Sequence, residues 1–249
     1  MRVLAITQQR DAGPGVFAEA CAACGARLDE WFRAETDDPP GDPGSYDAVI
    51  CLGGAMHADQ EDRHPWLAPE KALLRELVEA RVPVLGVCLG AQLLAEAAGG
   101  RAVAAREPEI GWIEVEVTPE AAADPVIGPL APRFGAFSWH SYECRLPGDA
   151  IVLARNPLCV QAYRLADRPA WGIQFHAEVS AAQATEWIEE YHADPDAVRV
   201  GVDPVRLGAE SAARIGDWNR LGRSLCARFL ATAARAGAGD GYSPVSGVR

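Results

Sequence analysis

The chain has 249 residues, 49% of them hydrophobic and 23% charged, with a formal net charge of −12; that is enough ordinary globular sequence for one large, well-buried α/β domain. The surplus of acid excludes the clustered Lys and Arg on which nucleic-acid binding depends, and it equally excludes attraction to an anionic membrane surface. Its longest apolar stretch, Val82 to Ala95, is broken by Pro83 and Gln92 and is too short to span a bilayer; there is no signal-peptide core at the start, and seven scattered cysteines point away from a disulfide framework and toward a reduced, cytoplasmic setting.

Along the chain, Val3 to Thr7 is a short apolar run suited to a buried parallel strand. Pro14 to Cys24 carries apolar residues at helical spacing, and packing explains Cys21 and Cys24 better than redox chemistry does. Tyr46 to Gly54 reads as a second buried strand that ends in a glycine turn. Pro65 to Ala80 reads as an amphipathic helix with Leu73, Leu74 and Leu77 on its apolar face. A strand over Val82 to Val87 and a helix over Ala91 to Gly100 follow, the helix closing on glycines. Alternation of this kind predicts an α/β fold with a mainly parallel central sheet and helices on both faces. Trp112 to Val117 then alternates apolar and charged residues, as a strand with one solvated face does. Further short strands are expected near 134–139, 151–154, 160–164 and 171–175. From about Ala181 the chain returns to helix, with a long amphipathic candidate over Pro204 to Ala234.

One turn carries chemistry. Gly86-Val87-Cys88-Leu89-Gly90 lies between a β-branched strand and a helix, the arrangement of a nucleophile elbow. The helix beginning there offers free N–H groups and a positive dipole end, and both favour a thiolate at Cys88. Of the five histidines, His176 ends an apolar strand in Trp171-Gly-Ile-Gln-Phe-His-Ala-Glu178. Strand alternation puts His176 and Glu178 on one face, where a carboxylate can hold the second ring nitrogen. His140 is the rival base, without a carboxylate on its own strand face. His57, His64 and His192 read as solvated. No zinc-type ligand spacing, dinucleotide-binding glycine motif or phosphate-binding loop occurs, so neither a metal nor a cofactor is expected.

GVCLGAQLLA around Cys88, the upstream CLGGAM and the downstream GIQFHAE together resemble class I glutamine amidotransferase domains, in particular the free-standing, GMP-synthase-like ones. EIGW at Glu109 to Trp112 and SWHSY followed by QAYRL fit as well, and the resemblance runs from about Val3 to Trp187. It implies a flavodoxin-like fold over residues 1–192, leaving a C-terminal helical extension over 193–236 packed on the same domain and a flexible tail over 237–249. It also implies a triad of Cys88, His176 and Glu178, and an oxyanion hole from the backbone of Gly54 and Leu89. Gly53, Gln92, Trp139, Ser141 and Tyr142 would meet the substrate. Three positions depart from the family pattern: Ala55 after the double glycine, Ala177 between His and Glu, and Ser141 where glycine usually follows the histidine. The first two leave the triad intact, whereas the third reshapes the pocket.

The activity so implied is cysteine-dependent hydrolysis of glutamine's γ-amide through a glutamyl thioester. Ammonia would pass to a separate synthetase or to solvent, because about seventy residues after His176 are too few for a fused synthetase domain. A self-sufficient γ-glutamyl peptidase or hydrolase would use the same triad on a larger leaving amine. A third reading is a catalytically silent binding protein on the same fold.

Overall fold

The computed structural model of the protein describes residues 1–237. Short aliphatic runs form the strands at its centre: β1 (Arg2–Thr7), β3 (Ala48–Cys51), β4 (Val84–Val87) and β9 (Ala170–Ile173). Apart from the exposed Arg2, their side chains are buried on both sides of the sheet, which is why they read as unbroken apolar segments. β2 (Arg27–Phe32) lies at one edge, and there the sequence gives no such run: RLDEWF is half charged, as an edge strand tolerates. β5 (Arg101–Val117), β6 (Arg133–Arg145), β7 (Ala150–Arg155) and β8 (Val160–Leu165) complete one sheet of order β2-β1-β3-β4-β9-β8-β7-β5-β6.

The pairings from β2 through β9 are parallel, and those from β9 onward are antiparallel. The expected parallel centre with flanking helices is present, joined to an antiparallel half. β5 and β6 extend well beyond the segments that alternation marks. Their register jumps between Ala104 and Glu109, so residues 105–108, Pro108 among them, have no partner on β6.

Helices α1 (Gly15–Ala23), α2 (Leu67–Glu79), α3 (Leu89–Ala97), α4 (Ala181–Tyr191), α5 (Pro195–Arg199) and α6 (Pro204–Gly237) cover the sheet. Val3 and Ala5 of β1 face Phe17 of α1 and Trp218 and Phe229 of α6. Leu4 and Ile6 face the opposite way, toward Leu74 and Leu77 of α2 and Leu93 and Leu94 of α3. That alternation sandwiches the sheet between two apolar layers. The tail expected over 237–249 lies, from residue 238 on, outside the described residues. Among the described residues no helix is long and apolar enough to cross a membrane, and the seven cysteines are free.

One polar group in the second layer carries a pH dependence. Glu70 of α2 is fully buried against Cys51 Sγ, 3.1 Å away, and Gln8 Nε2. Burial pushes its carboxyl from 4.5 up to about 7, with Cys51 and Gln8 acting in the opposite direction. The folded state therefore holds this proton more tightly than the unfolded chain. The associated stability is present below about 4.5 and is lost as pH rises through about 7. Glu70→Gln keeps an acceptor for both partners and removes the buried charge. Its melting temperature is expected to exceed that of the wild type at pH 8, by a margin on the order of 3 kcal/mol in stability, and to match it at pH 4.5. Thermal melts across that range check this.

Candidate active site

The sites marked in the sequence meet at the carboxyl ends of β3, β4 and β9, where open α/β sheets bind ligands. Cys88 stands between β4 and α3 with φ 51° and ψ −109°, a left-handed conformation that a residue with a side chain seldom adopts. Its N–H donates to the Ile173 carbonyl at 2.8 Å. The elbow fits only because Gly90 has no side chain: a Cβ there would lie 2.0 Å from the Cys51 carbonyl oxygen. Leu89 opens α3, so its N–H has no acceptor within the helix.

His176 follows β9, 2% exposed, and its Nδ1 lies 2.7 Å from Oε1 of Glu178, itself 1% exposed. Nε2 of His176 is buried with no hydrogen-bond partner, and His176 lines the same cavity as Cys88. Burial opposes a charge on this ring, but the Glu178 carboxylate and the Cys88 sulfur outweigh it and push the imidazole up to about 10. The Cys88 thiol also faces the Trp139 carbonyl, at 3.8 Å.

The cavity holds about 340 Å³, within the range of small-molecule sites. Gly54, Leu89, Gln92, Trp139, Ser141 and Tyr142 line it together with Cys88 and His176. Gly53 lies behind the lining: a Cβ there would sit 3.4 Å from Cys88 Cβ and 3.1 Å from His176 Cε1. Gln92 Nε2 is committed to the protein, donating to the Tyr142 carbonyl at 3.1 Å and to Gln174 Oε1 at 3.2 Å. It thereby ties α3 to β6.

Two histidines depart from expectation. His57, read as solvated, is half-buried, lines the cavity and stacks on Tyr142 with ring centroids 4.1 Å apart. A loop that folds back over the pocket gives no periodic signal. His140 does have a carboxylate partner, Glu109 on the adjacent β5 at 3.1 Å; reading β6 alone misses it because cross-strand register is not visible in one segment.

The C-terminal helices also reach the site. Tyr191 at the end of α4, together with Asp194, Asp196 and Ala197 at α5, closes one side of the cavity. Trp187 of α4 meets His176 edge-on at 4.8 Å. Trp218 Nε1 of α6 donates to the His176 carbonyl at 2.8 Å, and Asn219 Nδ2 donates to that of Val179 at 2.7 Å. α6 also crosses the His176–Glu178 segment closely at Gly222, where a Cβ would lie 2.0 Å from the Ala177 carbonyl oxygen. Gly222→Ala is expected to displace that segment, lowering kcat about tenfold and stability by about 1–3 kcal/mol. Paired kinetics and melting curves check both parts.

The sequence matches the family described as Glutamine amidotransferase class-I over residues 24–192. The chain belongs to the class-I glutamine amidotransferase family. It is 40% identical over 100 residues to a glutamine-hydrolyzing GMP synthase subunit of Methanothermobacter thermautotrophicus, covering 39% of this chain and 52% of that protein. It is also 30% identical over 155 residues to a gamma-glutamyl-L-1-hydroxyisopropylamide hydrolase of a Pseudomonas species, covering 59% of this chain and 52% of the hydrolase. The chain thus spans about half the length of these two curated relatives. A crystal structure of a glutamine amidotransferase from Thermotoga maritima superposes with a TM-score of 0.83 at 28% identity, over 92% of this chain and 98% of the other. In this amidotransferase the fold is therefore the family's, its parallel strands flanked by helices as the sequence pattern predicts.

Proposed function

We propose that this class-I amidotransferase hydrolyses the γ-amide of glutamine through a glutamyl thioester on Cys88. The observation that carries the reading is the shared cavity: Cys88 on its strained elbow, beside a His176 whose Nδ1 is held by Glu178 and whose Nε2 is unpartnered. The Cys88 thiolate attacks the amide carbon, and the charge that develops on the carbonyl oxygen is met by backbone N–H groups at Leu89 and Gly54. As the C–N bond breaks, His176 donates its Nε2 proton to the departing nitrogen, which leaves as ammonia. Water then attacks the thioester, His176 takes its proton, and the C–S bond breaks to release glutamate and the thiolate. Glu178 orients the ring throughout and offsets its positive charge. The resemblance to the Methanothermobacter GMP synthase protein supports a separate synthetase as ammonia acceptor.

A second reading, hydrolysis of γ-glutamyl amides with a larger leaving amine, is favoured by the Pseudomonas relative's stated activity and by a cavity of about 340 Å³. Turnover of glutamine, compared with that of γ-glutamyl alkylamides by the same preparation, separates the two. A higher kcat/KM for glutamine supports the first reading. A preference for the alkylamides overturns it in favour of the second.

A further inference from the structure

Beside the cavity, β5 and β6 hold a buried polar cluster that takes no direct part in the proposed hydrolysis. Glu109, 5% exposed, is the register partner of His140 at the point where the β5–β6 ladder jumps. Its Oε2 accepts from Gln161 Nε2 at 2.6 Å, His140 Nε2 at 3.1 Å and Cys159 Sγ at 3.3 Å, and its Oε1 accepts from Asn156 Nδ2. Four donors on one buried carboxylate leave it fully solvated by protein and fixed in place.

The other face of His140 points back to the site. Its Nδ1 lies 2.9 Å from the Tyr142 carbonyl oxygen, a group that can only accept. Nε2 faces the Glu109 carboxylate, so the ring bridges Glu109 to the β6 backbone. The Tyr142 carbonyl is the one that Gln92 of the nucleophile helix also grips, at 3.1 Å. Between the two anchored residues, Ser141 has no partner on β5, and it lines the cavity. Upstream on the same strand, the Trp139 carbonyl faces Cys88 Sγ and the Phe137 carbonyl accepts from His176 N at 2.9 Å. The segment from Trp139 to Tyr142 is therefore the cavity wall beside the nucleophile.

We infer that Glu109 is a positioning residue for substrate binding, acting through His140 on the Tyr142 carbonyl to hold the Ser141–Tyr142 wall at the distance the glutamyl group requires. The inference rests on the glutaminase reading above. Ligand atoms of Glu109, His140 and Cys159 also lie within 4.8 Å of one another. A divalent cation there would have to displace the proton of Cys159 Sγ. Burial and the Glu109 carboxylate push the Cys159 thiol up, which favours the proton-held arrangement.

The test uses the full chain. Glutamine kinetics of Glu109→Gln are paired with peptide-resolved labelling of Cys88 by a glutamine-like chloroketone and by iodoacetamide. The expected result is a KM raised about tenfold with kcat within about threefold, since a misplaced wall weakens binding before it disturbs the triad. Chloroketone labelling slows, iodoacetamide labelling does not, and Cys159→Ser, which keeps a donor to Glu109, stays close to wild type. An unchanged KM in folded Glu109→Gln overturns the inference. So does stoichiometric zinc in the purified chain that Cys159→Ser removes along with activity. If Glu109→Gln is insoluble, His140→Gln replaces it, because that side chain keeps a donor for Glu109 and loses the one to Tyr142; the same rise in KM is expected. A wild-type chain with no glutaminase turnover counts against the proposed function alone. The inference is then decided by the labelling alone: slower chloroketone labelling of Cys88 in Glu109→Gln at unchanged iodoacetamide labelling supports it, and equal chloroketone labelling overturns it.

Discussion

Cys88→Ala is expected to lower glutamine hydrolysis by about 10⁴-fold or more, because no other group among the described cavity residues can form the thioester and the oxyanion donors act only on a bond that something else attacks. Its melting temperature should stay near that of the wild type, since alanine inherits the same left-handed backbone. Cys88→Gly separates strain from chemistry further. Glycine adopts φ 51° without a Cβ penalty, and relief of about 1–3 kcal/mol of local strain exceeds the roughly 0.5–1 kcal/mol of added chain entropy. The glycine variant is thus expected to be equally inactive yet to melt above wild type. Ammonia-release assays and melting curves on the three proteins decide both points. Residual turnover within a hundredfold of wild type in either variant would sink the assignment of Cys88 as nucleophile. A glycine variant less stable than the alanine one would show that the elbow stores no strain.

What was readable in the sequence follows the range of the forces involved. The elbow is legible because its requirements are local: a β-branched strand, glycine where the helix passes the Cys51 carbonyl, and a helix to follow. His176 and Glu178 are legible for the same reason, being two residues apart on one strand end. Contacts between distant segments leave no such mark. The Glu109–His140 pair joins strands whose register includes an unpaired four-residue excursion, and neither strand alone shows it. His57 and the α5 residues reach the cavity by loop paths without periodicity. Trp218 and Gly222 read as parts of an amphipathic helix, although they brace the His176–Glu178 segment. Edge strand β2 escapes the pattern because an edge needs only one apolar face, and RLDEWF barely has one.

Glu178→Gln is expected to lower kcat about 10³- to 10⁴-fold while leaving Cys88 in place, the loss typical of removing the residue that holds a catalytic imidazole in its working tautomer. Its pH behaviour is more diagnostic than its rate. In the wild type, burial works against a charged His176, and Glu178 and Cys88 together overcome it, so the imidazolium persists to about pH 10. The ring must hold its Nε2 proton to release the amine, so wild-type kcat/KM should fall only as pH rises through about 10. With the carboxylate gone, burial is no longer fully opposed, and the alkaline limb should move toward neutral pH. Stability carries the same signature. A folded-state pKa raised above the ordinary 6.5 gives stability that is fully present below 6.5 and lost as pH climbs through about 10. Glu178→Gln should flatten that alkaline decline, just as Glu70→Gln flattens the separate decline between 4.5 and about 7. The two windows scarcely overlap, so melting curves at pH 4.5, 7 and 10 assign each carboxylate its own effect. An alkaline limb that stays near pH 10 in Glu178→Gln would mean that Cys88 alone sustains the imidazolium, leaving Glu178 only to orient the ring.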